Sequence, residues 1–239
     1  MERSGEFPQG EYLFRPRTEK KRPPTGLLLC GGADPDTRQE LDSDIFKRRA
    51  YMDQLDEFLT LLSGSFDNAQ QFEEMRRKGD LQFPFAQHIN TVCNSKIRNL
   101  PENFEGVFLV EESYYTVEGK THASPHLFLF TEEGDRVKLT SYELPEGCEK
   151  EHFTYQEMDE IEYSSLKCSD KFSPALYEKK GDIWEGGSVS MFTPVLKFTL
   201  FERFSPECLA VSETMEVNGK RTFGYDVPIL YRRIEQRTE

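Results

Sequence analysis

Residues 107–142 read VFLVEESYYTVEGKTHASPHLFLFTEEGDRVKLTSY, a pattern typical of a β-sheet protein. Three runs rich in aliphatic and aromatic residues are separated by two turn signals, Glu118-Gly119-Lys120 and Glu132-Glu133-Gly134-Asp135. Residues of these types favour strands, and short connections that contain Gly are typical of hairpins. The stretch therefore predicts three consecutive antiparallel strands.

The C-terminal half of the chain continues this pattern. Further predicted strands cover 175–177, 183–185, 195–204, 208–217, 221–227 and 229–234. Asn218-Gly219, between two of them, is a strong signal for a two-residue hairpin. Strands joined in sequence by tight turns form a meander, and about eight such strands can close into a barrel. Strands and helices do not alternate here, which argues against a parallel α/β fold.

The N-terminal part of the sequence has a different composition. Residues 1–45 contain five prolines and show little hydrophobic periodicity, which predicts an extended arm. Apolar residues then recur at helical spacing over 44–62, and a second helix is predicted over 68–78 with Asp67 as its N-cap. The predicted organisation is an arm, 1–45, followed by one domain, 46–239, which is mainly β, or α+β if the leading helices are counted.

Charge and composition exclude several classes of protein. The chain has 30 Lys and Arg residues against 43 Asp and Glu residues, and its net charge of -13 disfavours binding to nucleic acids or to anionic membranes. No apolar run is long enough for a transmembrane helix. The five cysteines form no C-x-x-C pair, as a zinc ribbon would require, and their odd number does not suit a disulfide framework. We expect a soluble protein of a reducing compartment, either the cytoplasm or a plastid stroma.

The sequence lacks the common catalytic motifs and predicts no metal site. Glu111 and Glu112 are of interest because they interrupt an otherwise apolar and aromatic strand. Alternation along a strand sends one of them into a barrel and the other outward. An inward carboxyl group would be desolvated, so that its pKa would rise and it could act as a proton donor. The alternative is a structural carboxylate held by hydrogen bonds or an ion pair.

Four segments, taken in order, resemble the CpcT/CpeT family of phycobilin lyases. Gly64–Gln71 matches the family pattern G-x-F-x-N-x-x-Q, and Pro84–Ile89 matches P-F-x-x-H-I. Val110–Tyr114 corresponds to apolar-E-Q-x-Y, and Phe223-Gly224 corresponds to W-G. The resemblance extends from about residue 52 to the end of the chain. It implies an antiparallel lipocalin- or calycin-like β-barrel, in agreement with the predicted meander.

The resemblance also implies a function. The protein would hold an open-chain tetrapyrrole, a bilin of the phycocyanobilin type, and assist its thioether attachment to a cysteine of a phycobiliprotein, with no other cofactor required. The implied catalytic residues are Glu111 and Tyr114. The candidate ligand-binding residues are His126, Arg136, Lys138 and Trp184.

One departure from the family pattern leaves the enzymatic assignment open. Where the family has P-Y-R-x-R, this chain has Pro125-His126-Leu127-Phe128-Leu129, so that two anion-binding arginines are missing. The alternatives are a non-catalytic lipocalin-like binding protein and a structural subunit of a larger, for example photosynthetic, complex. In either case the arm would contact the partner protein, and the sequence leaves a homodimer open.

Overall fold

The computed structural model describes residues 54–234. The arm predicted over 1–45 lies outside this range, as does the first part of the helix predicted over 44–62. Within the range the two α-helices are α1, 54–62, and α2, Ala69–Arg77. Neither has the length and apolar character that crossing a bilayer requires.

The described part of the chain is mainly β. Its strands are β1 Gly64–Asp67, β2 Phe85–Val92, β3 Ile97–Arg98, β4 Val107–Val117, β5 Lys120–Glu133, β6 Arg136–Tyr142, β7 Ile161–Glu162, β8 Ala175–Lys180, β9 Ile183–Met191, β10 Leu196–Phe204, β11 Leu209–Val217, β12 Lys220–Phe223 and β13 Ile229–Arg233. Short 3₁₀ helices occupy Asn94–Lys96, Lys150–His152 and Tyr163–Ser165.

Ten of the strands in residues 54–234 close into an antiparallel barrel of the lipocalin-like type, as the sequence predicted. Their order around the barrel is β10-β9-β8-β6-β5-β4-β2-β1-β13-β11, and the pairing of β10 with β11 completes the circle. Most neighbours in the barrel are consecutive in the chain, which is the predicted meander. The exception is the β1–β13 pair, which joins the first of these strands to the last, with Phe66 opposite Arg233.

Helix α1 closes one end of the barrel. Its apolar face places Leu55, Phe58, Leu59 and Leu62 in the core, and each of them is buried. The ring of Phe58 lies at the centre of an aromatic cluster, with ring-centroid distances of 5.1–5.4 Å to its partners. These partners are Phe130, Tyr177, Trp184 and Phe204. The helical spacing of the apolar residues thus supplies the plug of the barrel.

A second apolar cluster lies on the outer wall of β4 and β5. The outward side chains of Phe108, Val110, Leu127 and Leu129 are covered by residues of the β2–β4 and β6–β8 connections, among them Phe153 and Ile161. The short parallel pair of β3 and β7 ties these two connections together. Because both faces of the sheet are buried here, residues 107–110 of β4 and 127–130 of β5 are apolar at every position rather than alternating.

Several predicted strands have different bounds in the structure, among them the strand predicted over 175–177, which extends to Lys180. The strand predicted over 183–185 extends to Met191, because Gly186 and Gly187 continue the strand rather than ending it. The strand predicted over 221–227 ends at Phe223. The next residue, Gly224, has φ +108, and a Cβ atom there would lie 2.3 Å from the backbone oxygen of Glu213.

Replacing Gly186 with alanine is expected to destabilise the barrel by about 2 kcal/mol or more, as overpacking does. A Cβ atom at this position would lie 2.0 Å from the carbonyl oxygen of Leu176 on the neighbouring strand. The backbone of Leu176 cannot rotate away as a side chain can, so β8 and β9 must separate. Urea denaturation checks this, with Ser188→Ala on the same strand as the control. Equal midpoints for the two variants would contradict the close approach of β8 and β9.

Candidate functional site

The two glutamates of β4 point to opposite sides of the barrel wall, as alternation predicts. Glu111 lines the interior cavity and pairs across the sheet with His126 of β5. Glu112 faces outward and is buried beneath the β6–β8 connection, where its Oε1 accepts a hydrogen bond of 3.1 Å from the Tyr155 amide. The inward carboxyl group is therefore that of Glu111.

Two further carboxyl groups line the same interior. Glu202 of β10 accepts a short hydrogen bond from the Tyr177 hydroxyl group, and Glu213 of β11 accepts one of 3.2 Å from the Tyr115 hydroxyl group. The Ser113 hydroxyl group donates to Glu111 at 3.1 Å. Three carboxyl groups from three strands thus share one enclosed space.

Burial raises the pKa of every carboxyl group in this cluster. It raises the pKa of Glu111 well above its usual range, and the nearby charges of Glu202 and Glu213 raise it further. Burial also raises the pKa of Glu202 to about 7, although the hydrogen bond from Tyr177 opposes the rise. Burial raises the pKa of Glu213 as well. Burial thus favours the protonated form of Glu111, which suits a proton donor.

The histidines of the interior are neutral. Burial lowers the pKa of His88 to about 3 and that of His126 to about 4. Neither ring nitrogen of His88 makes a hydrogen bond, although only 3% of the residue is exposed. Its Nδ1 atom lies 3.7 Å from Oε2 of Glu111. His88 therefore presents unused hydrogen-bonding capacity inside the barrel.

The carboxyl groups and His88 surround a cavity of about 40 Å³. Toward the end of the barrel opposite α1, its walls become aromatic and include Phe128, Phe172 and Phe198. Phe172 belongs to the β6–β8 connection, and its ring centroid lies 5.8 Å from that of Phe198. Ser173, which also lines the cavity, is exposed. We call this end of the barrel, defined by Phe128, Phe172, Ser173 and Phe198, the mouth.

The structure brings only two of the predicted site residues together. Glu111 and His126 face each other in the interior. Tyr114, by contrast, lies on the outer face, because it is three positions from Glu111 on the strand. Its hydroxyl group donates a hydrogen bond of 3.0 Å to Glu112. Trp184 is fully buried and packs against Phe58 in the core rather than lining the cavity.

The two basic residues proposed to bind ligand lie on the outer surface. Arg136 and Lys138 alternate on β6 with Val137 and Leu139, whose side chains are buried in the core. The Nζ atom of Lys138 lies 2.6 Å from Glu133, and Arg136 lies beside the same carboxylate. Strand alternation thus places both cations outside the barrel, away from the interior.

Sequence reasoning missed Glu202, Glu213 and His88 as site residues. The signal was present in β10 and β11, because each carries a glutamate in phase with inward apolar residues. In β10 the inward series is Phe198, Leu200, Glu202 and Phe204. A charged residue at an inward position of a barrel strand is a candidate for function in the same way as Glu111.

The β6–β8 connection, which carries Phe172, is anchored by Lys96. The Nζ atom of Lys96 donates to the carbonyl oxygens of Tyr155 and Met158 at 2.5 and 2.6 Å and lies 4.7 Å from the centre of the Tyr155 ring. Together with the bond between Glu112 and the Tyr155 amide, this fixes the connection to the outer wall.

Replacing Lys96 with methionine is expected to lower the free energy of unfolding by about 2 kcal/mol, the scale of charged hydrogen bonds. The loss of stability should be greatest in the segment that Lys96 contacts. Amide hydrogen exchange at residues 155–158 should therefore accelerate more than exchange in the barrel strands. Replacing the exposed Lys171 with methionine is the control. Uniform acceleration throughout the chain would argue against Lys96 as a local anchor.

The fold and the site together define a lipocalin-like barrel with an acidic interior cavity of about 40 Å³ and an aromatic mouth. No family model matches this sequence, and no curated protein matches it. Among residues 54–234, no group of three or more His, Cys, Asp and Glu side chains is arranged to hold a metal ion.

Proposed function

We propose that this protein binds a small organic molecule inside its barrel. One observation carries the proposal, namely the cavity lined by Glu111, Glu202, Glu213 and His88 that extends to the exposed Ser173. Ligand sites are typically concave, with apolar walls and a few convergent polar groups, and the mouths of barrels are common places for them.

The cost of burying these polar groups supports a binding role. Carboxyl groups and an imidazole taken out of water destabilise a fold unless they are fully paired, and His88 makes no hydrogen bond. A barrel needing only stability would fill this space with apolar side chains, as it does around Phe58. Polar groups kept at such a cost are typical of functional sites.

Native mass spectrometry of the protein purified from its own source tests the proposal directly. We expect the purified protein to retain a small molecule, which adds its mass to that of the chain. Ser188→Leu, which fills the cavity wall, should abolish retention, whereas Val189→Leu on the outer face of the same strand should not. An empty native protein, or equal retention by both variants, would refute interior binding.

A second candidate function is the handling of a bilin, as the resemblance to the CpcT/CpeT lyases implies. The buried carboxyl group of Glu111, whose pKa is raised and which lies opposite His126, favours it. In thioether formation, the thiol sulfur bonds to the side-chain carbon of ring A. The electron pair of the double bond takes a proton from Glu111, and the proton lost by the thiol restores the carboxyl group. A bilin is far larger than the cavity, so the β6–β8 connection would have to move away from the mouth.

Phycocyanobilin added to the pure protein distinguishes this candidate from general ligand binding. A red-shifted and intensified visible band is expected with the natural sequence. Glu111→Gln should lose the shift, and Glu112→Gln, its outward neighbour, should keep it. No spectral change at micromolar bilin would refute bilin binding while leaving the broader proposal to native mass spectrometry.

A further inference from the structure

The carboxyl cluster surrounds a space that contains no positive charge. Glu111, Glu202 and Glu213 line it from three strands, and no Lys or Arg of the described residues is among the lining groups. Each carboxyl group accepts a hydrogen bond from a hydroxyl group of the wall. A carboxylate can accept about four hydrogen bonds, so most of the acceptor capacity is unused. The space suits a donor and disfavours carboxylate or phosphate ligands.

His88 is an independent sign that a ligand group belongs here. Its side chain is 3% exposed, lines the cavity and has no hydrogen bond at either nitrogen. Buried polar groups nearly always have a partner, so an unpaired imidazole usually marks a ligand or an ordered water. Because the ring is neutral, one of its nitrogens can accept a hydrogen bond from the occupant.

The dimensions of the site limit the occupant. A volume of about 40 Å³ admits about three water-sized groups, since each needs about 10–15 Å³. Only the polar end of a ligand fits beside the carboxyl groups. The rest must extend out at the mouth between Phe128, Phe172 and Phe198, which line the same cavity and have to separate to admit a ring. Rings pack well against such side chains, and cations are also attracted to their faces.

We propose that the ligand is a protonated arylalkylamine, whose ammonium group lies among Glu111, Glu202 and Glu213 and whose ring packs against the mouth. The inference rests on the proposed binding function and specifies its ligand class. An ammonium group donates three hydrogen bonds and accepts none, which matches a wall of acceptors. Its charge favours ionisation of a neighbouring carboxyl group, so binding releases a proton.

Three probes of matched shape test the inference by titration calorimetry on the full chain at pH 7.5. They are phenethylamine, 2-phenylethanol and 3-phenylpropanoate, which carry similar ring tails and differ in the charge of the polar end. We expect phenethylamine to bind about tenfold more tightly than the alcohol, because charge-assisted hydrogen bonds are about twice as strong as neutral ones. The propanoate should not bind. In Hepes the measured heat should be more exothermic than in phosphate, which reports release of about one proton.

Variants separate recognition from folding. Glu202→Gln and Glu213→Gln should each weaken phenethylamine binding about tenfold and reduce proton release, whereas Glu216→Gln, paired with Lys197 on the outer face, should change neither. Equal affinity for amine and alcohol, tighter binding of the propanoate, or no binding of phenethylamine would overturn the inference. If native mass spectrometry still showed a retained molecule, the proposed binding function would stand and only the ligand class would be wrong. If the native protein carried no molecule, the binding function would be refuted as well.

Discussion

Replacing Phe58 with alanine is expected to lower the free energy of unfolding by about 3–5 kcal/mol, the range for a buried Phe truncated in a core. Phe58 is fully buried at the closed end of the barrel, and its ring contacts four aromatic side chains. Losing it removes those contacts and leaves a cavity that rings anchored on strands cannot fill. Urea denaturation followed by circular dichroism measures the change.

Thr60→Ala provides the matched control on the same helix. Thr60 is exposed, and its hydroxyl group bonds only to the Asp56 carbonyl oxygen at 2.8 Å. We expect a change within about 0.5 kcal/mol, as for most surface substitutions. A loss of less than about 1 kcal/mol in Phe58→Ala would mean that α1 does not plug the barrel.

Replacing Glu202 with glutamine is expected to stabilise the protein by about 3 kcal/mol at pH 8 and to have little effect at pH 4. The folded protein raises the pKa of this carboxyl group from its usual 4.5 to about 7, and each pKa unit corresponds to about 1.4 kcal/mol. Below pH 4.5 the group is protonated in both the folded and the unfolded state, so its burial costs no ionisation energy.

As the pH rises from 4.5 to 7, the unfolded chain loses this proton while the folded protein keeps it, and stability falls. Glutamine cannot ionise, so the variant lacks that decline. The buried histidines act in the opposite direction, since their lowered pKa values make stability fall as the pH drops from 6.5 towards about 3 or 4. The histidines contribute equally to both proteins, so the difference reports the loss of the Glu202 charge, including its effect on the pKa of Glu111.

Denaturation curves at pH 4, 6 and 8 measure this difference, with Glu216→Gln on the outer face as the control. That residue pairs with Lys197 at 2.6 Å in a partly exposed position, where ion pairs contribute little. If Glu202→Gln were no more stable than the natural sequence at pH 8, folding would not raise the pKa of this carboxyl group.

Local patterns carried enough information to predict the barrel. The strands around the Asn218-Gly219 hairpin, and the helix that contains Phe58, follow from turn chemistry and apolar spacing. The bounds of β9 did not follow, because Gly186 looks like a strand terminator. Only the three-dimensional packing shows that a Cβ atom there would meet the backbone of β8.

The candidate site was predictable only in part. The doublet of Glu111 and Glu112 guarantees that one carboxyl group faces inward, whatever the phase of the strand. Tyr114, three positions from Glu111 on the same strand, lies on the opposite face by the same alternation, so the two predicted catalytic residues could not both face inward. The convergence of Glu202 and Glu213 with Glu111 depends on strand pairing across distant parts of the chain, which no local pattern encodes.

The pairing of β1 with β13 has a consequence for biosynthesis. Phe66 lies opposite Arg233, so closure of the barrel joins segments separated by nearly the whole described chain. Such non-local pairing folds slowly, because the entropy of a long loop is lost before its contacts form. On the ribosome, the edge of β1 and that of residues 209–211 in β11 remain unpaired until β13 emerges. During that interval the nascent chain exposes strand edges that favour aggregation, and it needs shielding until synthesis has passed Arg233.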